Sequence, residues 1–184
     1  MKTYPSNDVL TSGHNFIANV PKSELNKKFE EIFHRDSKVK TVCCSVHPSQ
    51  KHFNVLRTIL YQWGIKNYDS KKKKIKSEWL VYNLSEGCKD LCRHPYSFDN
   101  QRKRISSNKT NNQNYLRRKI DELLTFVVEH HSGESVRKFH YIDEVECGSN
   151  KNVIKIKLGD TFLKPFLELN FQWVPLLIVN GEYE

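Results

Sequence analysis

The sequence lacks long hydrophobic runs. Its longest apolar stretch, residues 173–179, is interrupted by Pro175, whereas a membrane-spanning helix needs roughly 18 or more apolar residues in succession. Residues 1–30 also lack an apolar segment behind a basic start, which a secretory signal would require. We therefore expect a protein without a secretory leader and without membrane partners.

Cysteine is scarce and irregularly spaced. The 184 residues include five cysteines, an odd number that forms no regular framework. Such a pattern is typical of free thiols in a reducing compartment. We predict a cytoplasmic protein.

The sequence gives little support for a metal site. Cys88, Cys92 and His94 could supply neighbouring ligands, and Cys44 and His47 could complete a zinc site. However, the short C-x2-C knuckle is absent, and the i, i+4 spacing of Cys88 and Cys92 equally suits the buried face of a small helix. We predict no bound metal and no cofactor.

Catalytic motifs are also missing. The chain has no glycine-rich loop for phosphates and no local context that would make a Cys–His nucleophile specific. Asp143, Glu144 and Glu146 lie on a predicted strand, as nuclease carboxylates often do. A nuclease of the restriction type would need an acid two residues before a lysine on the next strand, but Val153 precedes Lys155 there. We predict a protein that is not an enzyme.

The composition favours a folded protein with a polyanionic partner. Hydrophobic residues make up 38% of the chain and aromatic residues 11%, which argues against general disorder. The 30 Lys and Arg residues outnumber the 21 Asp and Glu residues, so the net charge is +9. Nucleic acid or an anionic membrane surface would suit this charge.

The hydrophobic pattern predicts helices and short strands outside the centre of the chain. The predicted elements are an irregular arm over residues 1–20, a helix from Pro21, a strand over Val39–Val46, a helix around residues 53–63, a strand over Trp79–Tyr82, a helix over Glu86–Cys92, strands over Arg137–Cys147 and Asn152–Leu158, and a helix over Thr161–Leu169. Gly148–Lys151 has the composition of a hairpin turn. We expect an α+β fold.

Two helix boundaries follow from single residues. The helix around residues 53–63 has one apolar stripe, made of Phe53, Leu56, Ile59, Leu60 and Trp63. Gly64 is expected to end that helix. Ser85 is expected to cap the helix that follows the Trp79–Tyr82 strand.

The central stretch, residues 101–128, has a basic polar half followed by a helical half. The helix Asn114–Val128 has an apolar stripe made of Leu116, Ile120, Leu123, Leu124 and Val127, and it is expected to run on to residues 131–133. Asn112 or Asn114 is expected to cap it. Arg117, Arg118 and Lys119 oppose the helix dipole near its start. A phosphate backbone is the natural use for cations placed there, and a solvated helix face after a flexible loop is the alternative.

Residues 66–76 form a second basic stretch. Six lysines stand there against one acid, Asp69. A flexible solvated loop is one interpretation, and contacts with distal phosphates are the other.

From Phe53 onward the order is helix, short strand, short helix, polar loop, longer helix, β-hairpin, helix, which resembles the winged helix-turn-helix domain of DNA-binding proteins. The run Tyr115–Leu124 is similar to the recognition helices of prokaryotic, particularly archaeal, regulators. The run Val153–Leu158, followed by Phe162–Leu167, is similar to plasmid replication initiators. The resemblance implies a recognition helix at Asn114–Val128 and a wing made of residues 137–142 and 153–157.

The resemblance and the charge together imply a set of contacts with double-stranded DNA. Arg117 and Arg118 are expected to reach bases in the groove, because guanidinium groups can bind guanine with two hydrogen bonds. The remaining predicted contacts, with bases or phosphates, are Asn112, Gln113, Asn114, Arg102, Lys103, Arg104, Lys109, and on the wing Lys155 and Lys157.

We divide the chain into an N-terminal extension (residues 1–50), a winged-helix domain (51–170) and a C-terminal tail (171–184). The leading hypothesis is sequence-specific duplex DNA binding by a transcription regulator that acts through operator occupancy. A plasmid or viral replication initiator and a protein–protein adaptor are the alternatives. Such regulators usually form homodimers, and the helix from Pro21 and the tail could form the interface or complete the core.

Overall fold

The chain forms an α+β fold with four helices and small antiparallel sheets in the residues that the computed structural model describes. Those residues are 2–6, 39–43, 50–69, 71–72, 74–92, 109–132, 134–168 and 170–176. The helices are α1 (Gln50–Asn67), α2 (Leu84–Cys92), α3 (Lys109–Leu124) and α4 (Asp160–Leu167). The strands are β1 (Thr3–Ser6), β2 (Val39–Cys43), β3 (Tyr68–Asp69), β4 (Lys74–Ile75), β5 (Trp79–Asn83), β6 (Phe126–Ser132), β7 (Ser135–His140), β8 (Ile142–Cys147), β9 (Val153–Leu158) and β10 (Gln172–Pro175).

Helix α1 lies at the centre of the hydrophobic core. Its predicted apolar stripe is confirmed, since every residue of the stripe is at most 1% exposed. The helix packs against α2, α3, β1 and β5. Apolar burial stabilises a protein by about 25 cal/mol per Å². The buried stripe of α1 therefore stabilises the packing of the elements around it.

Gly64 does not end α1, which continues to Asn67. A Cβ atom at Gly64 would lie 2.9 Å from Pro5 Cδ and 3.0 Å from Trp173 Cη2. The glycine therefore allows the paired strands β1 and β10 to lie directly against the helix. Close approach of another segment, rather than helix termination, explains this residue.

We expect Gly64→Leu to lower the free energy of unfolding by about 1–3 kcal/mol, the usual cost of overpacking. The added side chain must displace Pro5 or Trp173, so the tryptophan emission of the folded protein should change as well. Chemical denaturation followed by fluorescence measures both effects. Gly148→Leu is the control, because nothing lies within 4 Å of a Cβ atom there. Equal stability of the two variants would contradict the packing role of Gly64.

The free edge of β5 is covered by side chains of α1. Gln62 Oε1 accepts a hydrogen bond from Asn83 N at 2.9 Å, and Gln62 Nε2 donates to Asn83 O at 3.1 Å. Lys66 and Asn67 donate to two further carbonyls of the strand at 2.6 and 3.0 Å. The edge is thereby satisfied without another strand, and α1 is fixed to the sheet.

Strands β5, β9 and β8 form a three-stranded antiparallel sheet in that order. The predicted turn at Gly148–Lys151 is confirmed, because β8 and β9 flank it. The predicted wing pairing is wrong: residues 135–140 form β7, which pairs with β6, and β9 pairs instead with Ile142–Cys147. Strands joined by a short turn pair the residues nearest the turn first, so Cys147 lies opposite Ile154.

Helix α3 ends earlier than predicted. It stops at Leu124, and residues 126–128 belong to β6, between β2 and β7. Thr125 N donates to Glu122 O at 3.1 Å in the turn that ends the helix. Phe126-Val127-Val128 is a β-branched and aromatic run that packs well in a sheet, and Val42 lies opposite Val127.

Both predicted helix caps are also wrong. Helix α2 begins at Leu84, and Asn83 Oδ1 accepts the hydrogen bond from Glu86 N at 3.1 Å, so Asn83 rather than Ser85 is the cap. Helix α3 begins at Lys109, which places Asn112 and Asn114 inside the helix.

The first and last strands in the described part of the chain pair with each other. Thr3–Ser6 form β1, where an irregular arm was predicted, and β1 pairs with β10. Phe171 and Val174 pack against the core, so this part of the tail completes the core. The strand prediction at residue 39 and the helix predicted at 161–169 are confirmed by β2 and α4. The helix predicted from Pro21 lies outside the described residues.

Candidate nucleic-acid interface

Helix α3 presents one exposed polar face. Leu116, Ile120 and Leu123 are buried, whereas Asn114 and Arg118 are exposed one helical turn apart. The Arg118 side chain is 67% exposed, and its Nε lies 3.8 Å from Glu122 Oε1. An exposed pair at this distance stabilises by at most about 1 kcal/mol. Arg118 can therefore leave this partner for an external anion.

Arg117 is turned toward the β8–β9 hairpin. Its Nη2 donates a hydrogen bond to Lys151 O, and its Nη1 lies 3.7 Å from Cys147 Sγ. Cys147 ends β8, and Lys151 lies in the turn that follows it. The guanidinium therefore ties α3 to the hairpin, and in this position it is already engaged.

A hydrogen-bond network centred on Asn152 joins α2, α3 and the same hairpin. Asn152 Oδ1 accepts hydrogen bonds from Ser85 Oγ at 2.5 Å, from Ser85 N at 3.2 Å and from Gln113 Nε2 at 2.7 Å. Asn152 Nδ2 donates to Asn83 Oδ1 at 3.2 Å. Gln113 thus holds the hairpin, with its amide half-buried, and Asn114 is the exposed amide beside it.

The third cation of the predicted recognition helix is buried. Lys119 Nζ donates to Glu122 Oε2 at 2.5 Å, and His52 Nε2 lies 2.7 Å from the same oxygen. His52 also stacks against Phe126, with ring centroids 4.8 Å apart. Burial, together with the Lys119 charge, lowers the pKa of His52 to about 4. His52 is therefore neutral at physiological pH, and the cluster fixes α3 to α1.

The hydrogen bonds from Lys119 and His52 also change the pKa of Glu122. Burial would raise the pKa of Glu122, but hydrogen bonds from Lys119 and His52 outweigh burial and lower it. The carboxylate stays ionised, as a buried lysine requires.

The two lysines predicted to lie on the wing are in β9, on the sheet face opposite the buried Ile154 and Ile156. Lys155 Nζ lies 2.9 Å from Glu146 Oε2, and Lys157 Nζ lies 3.4 Å from Asp160 Oδ1. The hydrogen bond with Asp160 raises the pKa of Lys157. Both lysines are paired with acids and lie away from the core side of the sheet.

Not every predicted contact can be placed. Arg102, Lys103 and Arg104 lie outside the described residues, and only the backbone of Lys109 is described, as the first residue of α3. Asn112 is half-buried in the first half of α3. Among the predicted residues, Asn114 and Arg118 are brought together on an exposed face, and Gln113 and Arg117 are brought against the hairpin.

Sequence reasoning missed Asn152, the residue with most contacts in this region. A signal was present, since asparagine side chains near turns often bond to backbone groups. Its partners, however, come from residues 83–85 and 113. No periodicity connects residues so far apart in the sequence.

The described residues offer no candidate metal centre: no three His, Cys, Asp or Glu side chains among them could together hold a metal ion. Of the residues considered for zinc, Cys88 is half-buried and only the backbone of Cys92 is described. Cys44, His47 and His94 lie outside the described ranges. None of the helices in those ranges combines the length and apolar character needed to cross a lipid bilayer.

Comparison of the chain with protein-family models, curated proteins and solved structures finds no match.

Proposed function

We propose that this protein binds duplex DNA with α3 and the β8–β9 hairpin, in the manner of a winged helix-turn-helix domain. The proposal rests on the way the β8–β9 hairpin is attached to the helices through β5. Strand β5 lies between α1 and α2 in the chain, and it pairs with β9 of the hairpin. A hairpin attached in this way is held beside α3, where a wing must lie to contact the backbone next to the groove.

The exposed face of α3 supports the same proposal. An α-helix fits the major groove of B-DNA, where arginine binds guanine and asparagine binds adenine through paired hydrogen bonds. Asn114 and Arg118 are exposed one turn apart on this helix. We assign base reading to these two side chains.

Arg117 and Gln113 have a different role in this proposal. Their side chains bond to the hairpin and to the network around Asn152, so they position the two elements relative to each other. Lys151, in the turn of the hairpin, is exposed and supplies a cation for the phosphate backbone. The protein would act by occupying its site, as a transcription regulator does, without performing chemistry.

The proposal is tested by selecting binding sites from random duplex DNA at near-physiological salt. We expect the wild type to enrich a defined motif and Asn114→Ala/Arg118→Ala to lose it. Each lost base contact should weaken binding to that motif by about 1–3 kcal/mol. Arg137→Ala is the matched control, because Arg137 is exposed on β7, on another sheet.

Failure of the wild type to enrich any motif, with weak binding that fades as salt rises, would overturn the proposal. Non-specific phosphate contacts behave in that way. A protein–protein adaptor with a basic surface would then become the leading function.

A further inference from the structure

Tyr68–Asp69 and Lys74–Ile75 pair as the two strands of a β-hairpin, although the lysine content of this stretch favours a solvated loop. Strands β3 and β4 pair with Tyr68 opposite Ile75 and Asp69 opposite Lys74. Asp69 Oδ1 accepts hydrogen bonds from Lys71 N at 3.1 Å and Lys72 N at 3.2 Å. The only acid among residues 66–76 therefore organises the turn.

This hairpin is anchored to the body of the protein. The Tyr68 ring packs edge-to-face against Phe171 and at a tilt against Trp173, with ring centroids 5.6 Å apart in both cases. Ile75 packs against the core, and Lys76 N donates to Asn67 O at 2.7 Å. The base of the hairpin is therefore packed against the core, next to the exposed lysines.

Four exposed lysines lie in the β3–β4 hairpin or directly after it, Lys71, Lys72, Lys74 and Lys76. In the part of the chain that the structure describes, no acid forms an ion pair with any of them. Like charges held close together repel one another, and a bound polyanion removes that cost. This cluster therefore differs from Lys155 and Lys157, which have acidic partners.

The lysines lie at the opposite end of the sheet from the β8–β9 turn. Residue 79 of β5, next to the β3–β4 hairpin, pairs with residue 157, whereas residue 83 pairs with residue 153 beside the turn. At about 3.3 Å per residue, β5 alone separates the two ends by roughly 13 Å. The lysines therefore lie away from the β8–β9 turn that the proposed wing would place against DNA.

We infer that the β3–β4 hairpin is a second binding surface for the phosphate backbone of nucleic acid, separate from the face of α3. Ammonium groups bind phosphates as point charges, without reading sequence. The surface would hold a further DNA segment and raise affinity for any sequence.

The test compares two quadruple variants, both made in the Asn114→Ala/Arg118→Ala background. One changes Lys71, Lys72, Lys74 and Lys76 to Gln. The control changes Lys89, Arg137, Lys138 and Lys164 to Gln, so that it loses the same charge from other exposed positions. The Kd for a short random-sequence duplex is measured over a range of salt concentrations, and thermal unfolding checks that each variant is folded.

We expect the β3–β4 variant to bind roughly tenfold more weakly than the control at low salt, with a slope of log K against log salt smaller by about 2–4. Equal binding by the two variants would show that only net charge matters and would overturn the inference. Loss of binding to phosphatidylserine vesicles with unchanged DNA binding would also overturn it. If the Asn114→Ala/Arg118→Ala protein selects the same motif as the wild type, the proposed role of α3 is wrong. The difference between the two quadruple variants still tests the role of the β3–β4 hairpin.

Discussion

Lowering the pH from 6.5 to 4 is expected to reduce the free energy of unfolding by about 3 kcal/mol through His52 alone. Burial and the nearby Lys119 charge lower the pKa of this histidine from 6.5 to about 4. Each unit of pKa shift corresponds to about 1.4 kcal/mol. The unfolded chain binds the proton first as the pH falls, so stability is complete above pH 6.5 and is lost progressively toward pH 4.

The groups that face His52 define the control. Lys119 and Lys51 oppose its protonation, and Glu122 favours it. His52→Gln removes the titrating group and keeps a donor for Glu122, so its stability should depend much less on pH between 6.5 and 4. The stability that Glu122 supplies through its lowered pKa is lost only as the pH falls below the ordinary value of 4.5, outside most of this window. Urea denaturation at a series of pH values measures the difference, and identical profiles for both proteins would falsify the assignment.

The apolar positions of α1 could be predicted from the sequence, because a helical stripe records which side faces the core. The same signal failed at the end of α3. Val127 continues the helical stripe, yet it lies in β6 opposite Val42. The pairing partner comes from β2, far away in the sequence, and only the folded protein brings it there.

The basic run at residues 117–119 shows why candidate contacts are harder to predict than core positions. The three cations are equivalent in the sequence. In the structure Arg118 is exposed, Arg117 is bonded to the hairpin, and Lys119 is buried beside Glu122. Successive helical residues point about 100° apart, so neighbours in sequence meet different surroundings, and those surroundings depend on α1 and the hairpin.

In the β8–β9 hairpin, the turn is determined by local composition, whereas the start of the first strand depends on long-range packing. The turn at residues 148–151 was predicted from composition alone. The start of its first strand was not, because residues 137–147 form one continuous stretch without glycine or proline and were predicted as a single strand. The structure divides that stretch at Tyr141. Tyr141 is fully buried, and its ring packs edge-to-face against Phe53 with the ring centroids 5.9 Å apart. Long-range packing decides where β7 ends.

Replacing Asn152 with alanine should therefore disturb both stability and DNA binding. The change removes four hydrogen bonds, three donated by Ser85 and Gln113 and one accepted by Asn83. Asn83 Oδ1 keeps its bond from Glu86 N, and Gln113 Nε2 keeps its bond to Ser85 Oγ. At about 1 kcal/mol net per hydrogen bond, we expect a loss of about 2–4 kcal/mol in the free energy of unfolding. Asn170→Ala, at an exposed position, is the control and should have little effect.

The effect on binding would come from position, because Asn114 and Arg118 are unchanged in Asn152→Ala. Once Asn152 no longer holds the hairpin to α2 and α3, the backbone amides of the hairpin should exchange hydrogen faster. The affinity for the selected motif should fall roughly tenfold or more, which corresponds to about 1.4 kcal/mol in binding free energy. Hydrogen exchange of residues 142–158 and the Kd for the motif measure the two effects separately. Faster exchange with unchanged affinity would show that Asn152 holds the hairpin in place but that the hairpin does not contribute to DNA binding. Unchanged exchange would show that Arg117 and the β5–β9 pairing alone hold the hairpin.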